Sequence, residues 1–117
     1  WHTHVSSPPG AGNRWRLYGL RRSDGRMLPS WYSFKLLTQQ VTPFAAVTPL
    51  ANMGFGQHGY RVQRRDGGLR WVYWGSGTIV PPAGATVWTS VAPTQQGHQW
   101  HRVEGPVPLG PVPVLVR

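Results

Sequence analysis

The sequence predicts a mainly β domain, a small antiparallel β-sandwich of about six to eight short strands with one packed α-helix over residues 29–40. Three observations carry this. Residues 60–74, YRVQRRDGGLRWVYW, set two runs of alternating bulky and polar residues on either side of Arg65-Asp66-Gly67-Gly68. Asp and Gly tolerate the positive φ angles that tight hairpin turns demand. Fifteen glycines and twelve prolines cut the rest of the chain into strand-length pieces, while seven tryptophans supply packing groups that a disordered chain lacks. One stretch alone has helical spacing.

In the central hairpin, Tyr60 and Val62 share one face of the incoming strand. On the outgoing strand Leu69, Trp71 and Tyr73 share one face and Val72 and Trp74 the other. An apolar residue on both sides places that strand at the centre of the sheet, whereas Arg61 and Arg64 give the first strand a wetter side. Upstream, residues 1–5 read as a strand end, 6–13 as a loop, 15–20 as extended chain and Ser23-Asp24-Gly25 as a turn. Pro29 suits a first helical turn, where its missing N–H would be unpaired anyway. From it Trp31, Phe34, Leu37 and Val41 recur at spacings of three and four, widened by Tyr32 and Leu36. This is the stripe expected to face the core, with Ser30, Ser33, Thr38 and Gln39 opposite. Thr42-Pro43 ends the helix, because the residue before a proline is pushed out of the helical region. Residues 44–47, 78–80, 85–91, 99–103 and 110–116 read as further strands, with a glycine-rich loop at 52–56 and turns at 75–77, 81–84 and 95–97. Pro111 and Pro113 cannot donate to a ladder, so the last strand is expected at an edge or paired only in its later part.

A chain of 117 residues supports one core, with roughly two-thirds of the unfolded surface buried. There is no apolar run of about 18 residues and no charged n-region followed by an apolar h-region, so neither a membrane span nor a signal peptide is read. The compartment, extracellular or cytoplasmic, stays open, as does the oligomeric state. A chain that opens at Trp1 and not Met is expected to be processed or to be a segment of something longer. Cysteine is absent, which excludes a disulfide framework, a thiol nucleophile and a Cys-based metal site. Net charge is +9, carried by eleven Arg and Lys35 against Asp24, Asp66 and Glu104. A field of that sign attracts phosphates, anionic lipid or acidic polysaccharide. The plainer reading is a fragment whose acidic counterpart lies elsewhere, or an Arg-rich proteome.

His2 and His4 would point the same way in a strand, as two metal ligands often do. No third ligand is near them in sequence, although His58, His98 and His101 could converge on them; surface or substrate-facing histidines are the preferred reading, with no metal and no cofactor. Glycoside hydrolysis ordinarily needs two carboxylates held in a cleft. Asp24 and Asp66 instead sit beside glycines, where their side chains serve local backbone hydrogen bonds, and Glu104 precedes Gly105-Pro106. No residue of the chain is assigned a catalytic role, and no G-x-S-x-G, P-loop or dinucleotide fingerprint occurs. Arg61, Arg64, Arg65 and Arg70 interleave with Tyr60, Trp71 and Tyr73, which is what single-strand nucleic-acid binders use. An ordinary hairpin, aromatics inward and arginines solvated, needs the same residues and is preferred without an RNP-type motif.

The order of the pieces resembles the C-terminal region of retaining glycoside hydrolases built on a (β/α)8 barrel. WHTHV is followed by RLYGLRRSDGRMLPSWYSFKLL and by a β-rich tail ending PVPVLVR. In such enzymes the eighth strand ends in an aromatic residue, and a segment like Tyr18-Gly19-Leu20 leads through Asp24-Gly25-Arg26 and Pro29 into the last barrel helix. A small β-sandwich then follows in many members, its last strand ending as Pro113-Val114-Leu115-Val116 does. The resemblance implies that residues 1–41 are the end of a barrel-type catalytic domain and 42–117 a β-sandwich domain, packed as one unit. It implies a non-catalytic segment that caps the barrel, with Trp1, His2 and His4 lent to the sugar site and carbohydrate met through the missing barrel. Strands one to seven and both catalytic carboxylates are absent from this chain. The alternative is a stand-alone basic module for anionic polysaccharide or nucleic acid, nucleic acid being the less favoured of the two.

Overall fold

The computed structural model of the chain describes residues 20, 21, 24–92 and 98–117, and among these it has one helix and eight strands. In chain order they are α1 (Pro29–Gln40), β1 (Phe44–Pro49), β2 (Gln57–Arg64), β3 (Leu69–Gly75), β4 (Thr78–Ile79), β5 (Val87–Ser90), β6 (His101–Arg102), β7 (Val107–Pro108) and β8 (Val114–Val116). The fold is mainly β and every strand pair is antiparallel.

The hairpin forms as its residues dictate. Arg64 N donates to Gly68 O at 2.9 Å, Gly67 takes φ 85°, and the Asp66 carboxylate accepts from Gly68 N at 2.9 Å. β3 lies in the interior of a six-stranded sheet of order β1-β2-β3-β8-β5-β6, the place its two apolar faces require. β8 is central as well. Only residues 114–116 pair, so the expectation of late pairing holds and that of an edge does not. The proline-rich approach still helps the frame, because Gly110 O and Pro113 O accept from Gly75 N and Val91 N.

One face of this sheet carries Tyr73, Val114 and Val116, and the two-stranded β4–β7 sheet closes over it with Ile79 and Val107. Trp71, Trp88, Leu50, Met53, Ala85 and Leu109 pack around that core. Gly59, opposite Tyr73 in the ladder, makes room for the ring: a Cβ there would stand 2.8 Å from Tyr73 Cδ1 and 3.0 Å from Leu50 Cδ1.

The other face presents Val62, Val72, Thr89 and Leu115, with Leu115 fully buried. Thr89 is buried too, and its hydroxyl is satisfied by donation to Gln99 O at 2.6 Å. α1 is tied to this side at both ends. Ser33 Oγ donates to Val91 O just beyond β5, and Gln40 Oε1 accepts from Arg70 and Arg117.

The helix has the bounds the sequence predicts, and Leu36 of the expected core stripe is buried, but the inward face is rotated to one margin of that stripe. Ser33, Leu36 and Gln40 point inward, with Leu36 buried. Phe34 and Leu37 of the expected core stripe are 40% and 39% exposed. The strand expected at 99–103 contracts to His101–Arg102, and Val107–Pro108 pairs with Thr78–Ile79 where none was expected. Two-residue strands carry no readable period.

Candidate functional site

The last carbonyls of a helix lack intrahelical partners and sit at the negative end of its dipole, and α1 has no basic residue in its last turn. Arg64 of β2 supplies the cation. Its Nη1 donates to Gln39 O, Gln40 O and Thr42 O, each at 2.9 Å, while Nε and Nη2 hold the Asp66 carboxylate at 3.0 and 2.9 Å. The side chain is only 13% exposed. The reading of Arg64 as a solvated hairpin arginine is therefore corrected; Arg65, beside it, is exposed. The Arg64-x-Asp66 spacing across a turn was visible in the sequence, but a helix end more than twenty residues upstream was not. Arg64, and after it the Gly68 N–H, hold the Asp66 carboxyl below its ordinary value.

Register then gathers further arginines at the same end of the sheet. Trp71 pairs with Val116, which sets Arg70 across from Arg117. Arg117 exchanges backbone hydrogen bonds with Val87, and Val87 pairs with Arg102. Arg70 Nε and Arg117 Nη1 both donate to Gln40 Oε1 at 3.2 Å, and the Arg117 guanidinium lies 4.3 Å above the Trp100 ring. Burial first, then the charges of Arg64 and Arg117, push the Arg70 guanidinium below its ordinary value against the opposing pull of Asp66.

The aromatics divide between the faces. Trp71 and Tyr73 join the core on one side, whereas Arg64 and Arg70 lie on the other with Tyr60 and Trp74. Trp74 stacks between Tyr60 and His58, with ring centroids 5.7 and 5.3 Å away. Trp88 stacks on His101 at 4.6 Å, and the His98 ring meets Val91 O. His58, His98 and His101 are thus engaged separately, and among the described residues no group of three His, Cys, Asp or Glu could hold a metal ion. Asp24 accepts from Arg26 N and Asp66 from Gly68 N, the local turn roles read from their glycine neighbours; Glu104 is exposed. Trp1, His2 and His4 lie outside the described residues. No described helix is long and apolar enough to cross a membrane. No family model matches the chain, and no curated protein matches its sequence.

Proposed function

We propose that the chain is a non-catalytic C-terminal segment of a glycoside hydrolase that caps the enzyme's barrel, with the outer side of α1 docked against the part of the barrel that precedes it. The observation that carries this reading is the orientation of the helix. Its polar and short residues, Ser33 and Gln40, anchor it to its own sheet, while Phe34 and Leu37 are turned outward. A helix that is apolar on its outer side as well is one with a second surface to cover. β1, which follows directly in the chain, extends that supply: all six of its residues are exposed, Phe44 and Val47 among them. The Asp24-Gly25-Arg26, Pro29 and aromatic-helix order supports the same assignment. On this reading residues 1–41 belong with the barrel and 42–117 with the sandwich, and Trp1, His2 and His4 line the sugar site.

Two results are expected. The isolated 117-residue chain turns over no aryl glycoside in a panel assay, because Asp24 and Asp66 are committed to their turns; turnover lost in Asp24→Asn or Asp66→Asn would overturn the non-catalytic assignment. In the full-length polypeptide, Phe34→Asp with Leu37→Asp lowers the melting temperature of the preceding domain. The same pair changes the stability of the isolated chain by less than about 1 kcal/mol, as surface changes do. Equal losses in the two contexts, or a gene with no hydrolase sequence upstream of Trp1, would remove the docking role.

A further inference from the structure

Arg70 and Arg117 face one another across β3 and β8, and like charges directly opposite in a ladder are destabilising. The usual remedy is a carboxylate between them. Position 40 carries a neutral amide instead, and its one acceptor oxygen is shared by both guanidiniums at 3.2 Å. The acid nearest in the chain, Asp66, is taken up by Arg64 and the Gly68 N–H. Among the described residues the ion pairs are Arg26–Asp24 and Arg64–Asp66, so neither Arg70 nor Arg117 has a carboxylate partner. Both are only partly exposed, and Arg117 is further held in place over Trp100. Arg70 Nη1 also donates to Leu69 O at 2.7 Å, so its donors are shared with uncharged oxygens alone. Two pre-positioned guanidiniums with unmatched charge form a receptor for an anion.

We propose that Arg70 and Arg117, braced by Gln40 and Trp100, form a binding site for a tetrahedral oxyanion, a sulfate or phosphate group. A planar carboxylate offers two oxygens suited to one fork, whereas a tetrahedral group presents oxygens in several directions, to separate N–H donors that reach it from neighbouring strands. The site does not involve the outer side of α1, and it stands or falls independently of the docking proposed above.

The test is a titration of the 117-residue chain with sodium sulfate, sodium phosphate and sodium glucuronate, each at constant ionic strength against sodium chloride. Melting temperature and heat of binding are both followed. Sulfate strengthens burial non-specifically at high concentration, so the expected signature is a rise in melting temperature that saturates at low millimolar anion. Arg117→Gln and Arg70→Gln should each weaken binding at least tenfold, while Arg65→Gln leaves it unchanged. Gln40→Glu supplies the missing charge from within, so it should raise the melting temperature without added anion and abolish the response. That variant keeps the test decisive if Arg70→Gln fails to fold. The tighter of sulfate and phosphate identifies the ester class. An equal response to chloride, a full sulfate response in Gln40→Glu or Arg117→Gln, or glucuronate binding as tightly as sulfate would each overturn the assignment.

Discussion

Replacing Tyr73 by alanine is expected to cost about 3–5 kcal/mol, the range for removing a large buried aromatic side chain. The ring is 5% exposed and lies in the core between the six-stranded sheet and the β4–β7 pair. It rests over Gly59, which brings no side chain to fill the space it would vacate. Trp71, on the same face but only partly buried, should lose less. Urea melts of the two variants give the comparison. A Tyr73→Ala midpoint above that of Trp71→Ala would mean that the core is centred on the indole and not on the phenol. Gly59→Ala is the converse case: its methyl would meet Tyr73 and Leu50 at 3.0 Å or less, so overpacking should cost about 1–3 kcal/mol.

Arg64→Ala should cost about 3 kcal/mol, because charge-assisted hydrogen bonds contribute about 1.5–3 kcal/mol and this one side chain joins a helix end to a hairpin turn. Two helix-end carbonyls, the Thr42 carbonyl just beyond the cap and the Asp66 carboxylate lose their partner together. Arg65→Ala, on the neighbouring exposed residue, should stay within about 0.5 kcal/mol. Arg64→Lys keeps the charge but not the fork, so it should recover only part of the loss. Acid titration gives a second readout. Asp66 has a folded pKa below its ordinary value, so its stabilisation is present above that ordinary value and is lost as pH falls through the lower folded one. Arg64→Ala removes the largest cause of the depression and should flatten this acid limb. Equal midpoints for Arg64→Ala and Arg65→Ala would return Arg64 to the solvated role read from sequence.

Local chemistry was legible without coordinates. Pro29 and the proline at 43 bracket a helix of the predicted length, Asp66-Gly67-Gly68 turns the hairpin, and the two apolar faces of β3 place it inside the sheet. Each of these depends on residues within a few positions of one another, where φ preferences, missing donors and side-chain period act directly. The prolines at 111 and 113 likewise limited β8 to its last three residues, but not to an edge.

Three features were settled only when distant segments met. The stripe of Trp31, Phe34, Leu37 and Val41, widened by Tyr32 and Leu36, was the stronger periodic signal, yet of it Leu36 faces the sheet, beside Ser33 and Gln40, while Phe34 and Leu37 turn outward. Periodicity reports that a face is apolar and does not say which of two surfaces it will cover. Arg64 left solvent because the end of α1 arrives over β2, and the need of terminal carbonyls for donors is blind to sequence separation. The opposition of Arg70 and Arg117 depends on the register of β3 against β8, which are separated by nearly forty residues of chain. The sequence alone determined the elements and the core hairpin; which faces are covered, and which charges are left facing one another, followed from strand register and helix placement, because burial and charge pairing are properties of contacts between segments.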